Sequence, residues 1–372
     1  MIIPERDAEW AADAFIEYFE KITQVDQYFR LVKQERMNEV SPTLFGEKLE
    51  DALFSDFTMH PQEMDFEIIP VGANGLDNDY FSKLLNIVAS HVIEDSIPGR
   101  ELKWIIYEKN SKKIVGFIRF GSPTINSKPR NIWLGAQPDI SLLNQHCAMG
   151  FIIIPSQPFG FNYLGGKLLA LICCSHYARE LVSKRFDKNI CLFETTSLYG
   201  SSKISSQYDG LEPYMRYMGL TESKFLPLLH DDTFHKLHDR FTYLNNNKPL
   251  TENTASSKKL KRQTKMISII RKSLVDAEKL QRFNGVIDSA FSVTQKKRFY
   301  MCNYGFSNVR EVLTGQSTEL IPGANYHKHD YHELIKRWKL KASKRYETLK
   351  SSGRLRTELE VWSNNMNIDV IR

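Results

Sequence analysis

Residues 151–174 read FIIIPSQPFGFNYLGGKLLALICC: a strand-like apolar run, a proline, a glycine-bearing loop and an apolar helix pattern. A strand feeding through a short loop into a helix is the unit from which α/β layers are built. The glycines raise the question of whether the loop cradles a diphosphate or only turns the chain between two buried elements. It is not a Walker loop, because Gly166 and Lys167 are followed by Leu168 where Ser or Thr is required. Nor is it a dinucleotide fingerprint, since Gly160, Gly165 and Gly166 have the wrong spacing.

Working outward, residues 102–107 and 114–120 are β-prone runs joined by the turn-like EKNSKK, which predicts a hairpin. SPTINSKPRNIWLGAQPD follows as a long loop, and the pattern then predicts a strand over 147–155 and one helix of about six turns over 163–186. A strand over 190–195, the polar loop TSLYGSSKISSQYDG and a short helix over 212–218 stopping at Gly219 complete a mixed α/β layer.

The flanks differ in charge. Residues 1–60 carry six Lys/Arg against thirteen Asp/Glu, whereas residues 251–372 carry twenty-four against twelve, an imbalance hidden in the overall +6. Ala11, Ala12, Phe15, Ile16, Phe19 and Ile22 form one apolar stripe, predicting an amphipathic helix over 7–29. A second helix is expected over 80–94. NNNKPLTENTASSKKLKR has a linker's composition, and beyond it helices near 263–283, 284–292 and 328–350 surround the strand-like KKRFYMCNY. The expected division is therefore an acidic helical region over 1–98, an α/β core over 99–244, a basic linker over 245–262 and a basic, mainly helical region over 263–372.

The five cysteines are odd in number, set in apolar runs and form no C-x-x-C pair, so they read as buried thiols rather than disulfide or zinc ligands. YHKHDYHE lacks the H-E-x-x-H pattern and reads as a surface helix start, and no metal is expected. No apolar run is long enough to span a bilayer, and the acidic start gives no signal-peptide core, so a cytoplasmic protein without membrane contact is expected.

The strand, the loop Gln157-x-x-Gly160-x-Asn162 and the following helix resemble the Q/R-x-x-G-x-G/A element of GNAT acetyltransferases, with Asn162 where Gly or Ala is usual. The hairpin before it and GLEPYMRYMGL after it stand in the matching order. More narrowly, GFIRFGSP, KPRNIWLG, FIIIP, NYLGGKLL, LFETT and YGSS with Tyr208 resemble, as an ordered set over about 105–225, the DruA-like family, named after a protein of the Druantia antiphage system. That family's core is similar to GNAT-like proteins, including the phage DNA-modifying protein Mom. The resemblance implies a GNAT-like mixed central sheet with flanking helices, to which the chain's own patterning adds a helical N-terminal head and a basic, mainly helical C-terminal region. It also implies acetyl-CoA or another acyl or aminoacyl donor on Gln157, Gly160, Asn162, Tyr163, Gly165 and Gly166. Asn162, Glu194, Thr195, Gly200, Ser202 and Tyr208 fall where the family's recurrent polar residues lie.

Glu194 closes an apolar strand, where open α/β sheets place their sites, and could serve as a general base; a Glu satisfied by loop N–H groups or by Arg130 is the alternative. Tyr208 and Ser202 complete the candidate catalytic set, with Tyr208 equally readable as a packing aromatic and Asn162 as an ordinary N-cap. Lys128 and Arg130 beside Trp133 suit a phosphate contact next to a stacking surface, or else a solvated loop over a buried Trp. The runs holding Lys258, Lys259, Lys261 and Arg262, and then Arg337, Lys339 and Arg345, are candidate nucleic-acid contacts.

These readings converge on a DNA-directed, GNAT-like transferase that modifies a nucleobase, encoded by a phage or mobile element and acting in the host cytoplasm. The competing expectation is a noncatalytic or strand-nicking DNA-binding module of an antiphage defence or counter-defence complex. The acidic head is in addition a candidate docking surface for a basic protein partner.

Overall fold

A computed structural model describes residues 1–39, 49–73, 75–90, 99–197, 206–224, 227–251, 258–292 and 296–362. In chain order, α1 (Glu5–Phe19), α2 (Val25–Glu39) and α3 (Leu49–Ala52) precede β1 (Phe66–Pro70) and α4 (Asn78–Val88). The hairpin β2 (Glu101–Glu108) and β3 (Lys113–Gly121) leads through α5 (Lys128–Leu134) and α6 (Ile140–His146) to β4 (Cys147–Pro155). Then come α7 (Phe159–Tyr163), α8 (Gly165–Cys173), α9 (His176–Phe186), β5 (Leu192–Ser197) and β6 (Arg216–Lys224). Helices α10 (Asp231–Leu244), α11 (Lys258–Ser273) and α12 (Ala277–Ser292) are followed by β7 (Lys296–Cys302), α13 (Val309–Leu313) and α14 (Tyr331–Ser351).

The chain divides into two compact units, Met1–Arg36 with Lys224–Gln295, and Met37–Ser223 with Lys296–Arg372. This partition does not follow the expected boundaries at 98, 244 and 262. The charge shift that suggested a separate basic region beyond 262 crosses two different cores: α11 and α12 belong to the first unit, β7 and α14 to the second.

The first unit is helical. The predicted stripe on α1 is buried, and Phe15 meets Phe283 of α12 edge-on at 6.0 Å between ring centres. The expected single helix over 7–29 breaks after Phe19 because Gln27 Oε1 accepts from the N–H groups of Thr23 at 2.9 Å and Gln24 at 3.1 Å, starting a new helix. Charge pairing then draws the acidic head onto the basic run: Asp7 with Arg240 at 2.7 Å, Asp13 with Lys279 at 2.9 Å and Glu20 with Arg282 at 2.8 Å. Three of the acids read as a partner-docking surface, Asp7, Asp13 and Glu20, therefore have partners within this chain.

The second unit is a mixed sheet in the order β1-β2-β3-β4-β5-β7-β6, flanked by helices. Strands β4 and β5 run parallel, while β1/β2, β2/β3, β3/β4 and β5/β7 run antiparallel. Helices cover both faces, which is why β3 is apolar at nearly every position. Phe117 meets Phe81 of α4 at 5.5 Å on one side, and Gly116 lets Leu169 of α8 approach on the other, where a Cβ would stand 2.6 Å from Leu169 Cδ1. Helix α14 packs outside α7 and α8, with Trp338 donating to the Tyr163 carbonyl at 2.9 Å.

Three local expectations are corrected. The six-turn helix over 163–186 is α8 and α9, because Ser175 Oγ accepts from Ala178 N at 3.1 Å and caps a new start. The long loop 122–139 contains α5, ended by Gly135 in the left-handed region. The short helix over 212–218 is absent: Arg216–Lys224 is β6, and Gly219, with φ of 113°, lies within that strand rather than stopping a helix. Here pairing with β7 outweighs local propensity. Among the described residues no helix is long and apolar enough to cross a membrane.

Candidate functional site

β4 pairs with β3 as far as Pro155 but with β5 only from Cys147 to Gly150. Residues 151–155 thus have a strand on one side alone, while β5 continues as far as Ser197 on β7. The two parallel strands part at their C-terminal ends, the position at which open α/β sheets hold ligands. Side chains bridge the opening: Thr195 Oγ1 donates to the Gly150 carbonyl at 2.9 Å, and Gln207 Nε2 donates to the Ile153 carbonyl at 3.2 Å.

Glu194 lies beneath this opening with no solvent exposure. Arg130 Nη1 donates to both its oxygens, at 3.2 and 3.0 Å, and also to the Thr124 carbonyl at 2.9 Å, while Nη2 donates to Ile125 O at 2.6 Å. Burial pushes the Glu194 carboxyl up to about 7, opposed by the adjacent guanidinium. The alternative of a Glu satisfied by Arg130 is what the geometry realises. Arg130 is fully buried, which removes it from the expected phosphate contacts. Its loop neighbours are also engaged: Lys128 pairs with Glu222 at 2.5 Å, and the Arg310 guanidinium lies 4.9 Å from the Trp133 ring centre.

The glycine loop is occupied by the chain itself. Gln157 Oε1 accepts from Phe161 N at 3.1 Å, and the Gln157 carbonyl accepts from Glu360 N at 3.0 Å. Asn162, fully buried, donates from Nδ2 to the Arg356 carbonyl at 2.7 Å and accepts from Arg356 N at 3.1 Å, so it is not an N-cap. Tyr163 is a core aromatic, stacked 5.4 Å from Tyr346 and donating to the Met59 carbonyl at 3.1 Å. A Cβ on Gly160 would stand 2.5 Å from Gln157 Nε2, one on Gly165 would stand 2.7 Å from the Phe159 ring, and one on Gly166 would stand 2.2 Å from Gln207 Oε1. These glycines admit the protein's own side chains. With Gln207 against the start of α8 and Asn162 taken by Arg356, the residues present do not fit a coenzyme diphosphate in this arrangement.

Tyr208 is buried against Tyr300 at 5.2 Å, and its hydroxyl is pushed up to about 12 by burial although hydrogen bonds with Thr195 and Gln207 pull it back. Ser202 and Gly200 lie outside the described residues. Beside Tyr208 stands a hub that the sequence did not disclose. Asp209 accepts from Arg298 Nη1 at 2.9 Å, Tyr300 Oη at 2.8 Å and Ser206 N at 2.8 Å, and its carbonyl and that of Gln207 accept from Lys167 Nζ. Against the effect of partial burial, these hydrogen bonds and the Arg298 charge hold the Asp209 carboxyl below its ordinary range.

The remaining basic candidates separate by unit. In the first, Lys259 pairs with Asp231 at 2.6 Å; Lys261 is exposed and Arg262 half-buried; the Lys258 side chain lies outside the described residues. In the second, Lys339 donates to the Gln62 carbonyl at 3.1 Å, Arg337 lies 5.1 Å from the Tyr214 ring centre and Arg345 lies 4.7 Å from that of Phe161. Sequence reading passed over Lys341, Lys167 and Arg356, which stand in the same neighbourhood. The spacing of Arg337, Lys341 and Arg345 at every fourth position was the signal available for Lys341.

The five cysteines are all buried. His329 is fully buried, with Nδ1 2.8 Å from the Cys174 carbonyl and 3.9 Å from Cys302 Sγ, so YHKHDYHE is not simply a surface helix start. No cluster of three or more metal-ligating side chains occurs among the described residues.

Neither the curated proteins nor the solved structures contain a match to this sequence. The family described as Druantia protein DruA matches residues 23–208, half of the chain, a span that holds β1 to β5, the glycine loop, Arg130, Glu194 and Tyr208. On that match the chain belongs to the DruA family.

Proposed function

We propose that this chain is a nucleic-acid-binding module built on a GNAT-like sheet, working within a Druantia-type antiphage assembly. The observation that carries this reading is a local group of cations in the second unit that no carboxylate neutralises. In the first unit several cations pair with its own carboxylates, as in Arg240 with Asp7, Lys279 with Asp13 and Arg282 with Glu20. In the second, Lys167, Arg337, Lys341, Arg345 and Arg354 have no carboxylate within ion-pair distance among the described residues. Unneutralised cations held beside aromatic rings suit a polyanion with π-faces. Fluorescence anisotropy with labelled DNA over a salt series tests the reading. Affinity should fall steeply as salt rises, with a linear slope in log K against log salt. Absence of binding at 50 mM salt to single- and double-stranded probes alike would end it.

A second reading, group transfer to a nucleobase, is favoured by one observation, the parting of β4 and β5 at their C-terminal ends. Modified nucleosides in DNA from cells expressing the intact chain, detected by mass spectrometry and lost with Gln207→Ala, would support it. Unmodified DNA would leave binding as the activity.

A further inference from the structure

The flank of α14 carries half-buried Arg337, exposed Lys341 and half-buried Arg345 at successive fourth positions, beside the buried row Leu334, Trp338, Ala342 and Tyr346. Each step advances about 6 Å along the helix axis, so the three charges form a track of about 12 Å. That step is close to the separation of neighbouring phosphates in a nucleic-acid strand.

We propose that Arg337, Lys341 and Arg345, with Lys167 at its side, form a phosphate track along which one nucleic-acid strand is laid. The inference rests on the nucleic-acid reading above and adds the path the strand takes.

Three features distinguish this row from an ordinary solvated helix face. The side chains are already ordered: Arg337 rests on Tyr214 at 5.1 Å, Lys341 Nζ donates to the Gly210 carbonyl at 3.1 Å, and Arg345 Nε donates to the Phe161 carbonyl at 3.4 Å. Binding an anion then costs little further side-chain entropy. They also crowd one another. Burial and then Arg337 lower Lys341, burial and then Lys341 lower Lys167, and burial followed by Arg354 and Arg356 lowers Arg345. A phosphate would relieve that repulsion. Finally, nearby acids have other partners: Asp209 holds Arg298, Glu360 holds Arg356 at 2.9 Å, and Glu347 lies 3.3 Å from His60. The track leads past Phe161 and Lys167 to the start of α8, beside the opening at the end of β4. Arg337, Lys341 and Arg345 lie beyond the residues matched to the family, 23–208, and Lys167 lies within them.

The test uses the full chain with a labelled 20-nucleotide single strand and a 20-base-pair duplex, titrated at 50–200 mM salt. Arg337→Gln/Lys341→Gln/Arg345→Gln should flatten the salt slope by about 2 to 3 and lower affinity at 100 mM salt more than tenfold, since each phosphate contact contributes about 0.7 to 0.9 to the slope. The single Lys341→Gln, at an exposed position, should remove about 0.7 to 0.9 of the slope without change in the unfolding midpoint, and Lys341→Arg should restore it. Lys259→Gln/Lys261→Gln/Arg262→Gln should leave affinity within about twofold of the wild type. If the wild type binds and the track variants bind with an unchanged slope, the track is wrong and the nucleic-acid reading survives. If the wild type binds neither probe, both fail.

Discussion

Asn162 holds Arg356 as a neighbouring strand would, donating to its carbonyl at 2.7 Å and accepting from its N–H at 3.1 Å across 194 positions of sequence. One amide side chain thereby fixes the segment after α14 onto the glycine loop. Glu360 N on the Gln157 carbonyl and the Arg356 guanidinium, 3.8 Å from the Phe161 ring centre, extend the same contact.

Asn162→Leu should remove both bonds while keeping the branching at Cγ, leaving the Arg356 peptide unpaired at a cost of about 1–3 kcal/mol. Urea denaturation measures the loss. Limited trypsin digestion should cut after Arg354 and Arg356 much sooner in the variant than in the wild type.

The Arg130–Glu194 pair gives a pH prediction. The Glu194 carboxyl titrates at about 7 in the fold against an ordinary 4.5, so the folded state binds the extra proton between those values, and this group's contribution to stability falls as pH rises through that window. Arg130→Met removes the charge that opposes burial and raises the carboxyl further. The variant should lose about 3–5 kcal/mol at pH 8 and distinctly less at pH 5, read from denaturation midpoints at the two values.

Gly166→Ala places a Cβ against the Gln207 amide, 2.2 Å from Oε1. Because Gln207 Oε1 is the end of a flexible side chain that can swing aside, the net cost should be under about 1 kcal/mol, and Gln207→Ala should remove it in the double variant. A loss that Gln207→Ala does not touch would show that the glycine serves something other than this packing.

Asp209 behaves in the opposite sense to Glu194. Its carboxyl is held below the ordinary 3.8, so its contribution is present above that value and is lost as pH falls through the lower, folded one. Asp209→Asn should flatten the acid limb of the stability curve and loosen Arg298 and Tyr300, visible as faster hydrogen exchange in β7.

Much of the sheet could be read directly. The hairpin and β4 announce themselves through apolar runs bounded by turn residues, and β4 runs over the predicted 147–155. Strand β6 could not be read, because RYMGLTESK has little strand character of its own and is ordered by β7, a partner far along the chain. The same holds for the site. Arg130 could be named as a partner for Glu194 because a buried carboxylate needs a cation. Asn162 could not be assigned to Arg356, since nothing local to either residue records a contact 194 positions away. The acidic head was visible as composition, but its pairing with Arg240, Lys279 and Arg282 depends on how the first unit folds.

The placement of β7 between β5 and β6 also dictates when the second unit can be finished. The strand that must enter the middle of the sheet is made only after residues 225–295 have been synthesised. Until then the nascent sheet presents the bare edge of β5, where Glu194 to Ser197 later meet Met301 to Arg298. An unpaired edge of that kind invites pairing with another chain. The intervening helices, folding as they emerge, set the delay, and synthesis rate across 225–295 becomes a determinant of how much chain reaches the native sheet.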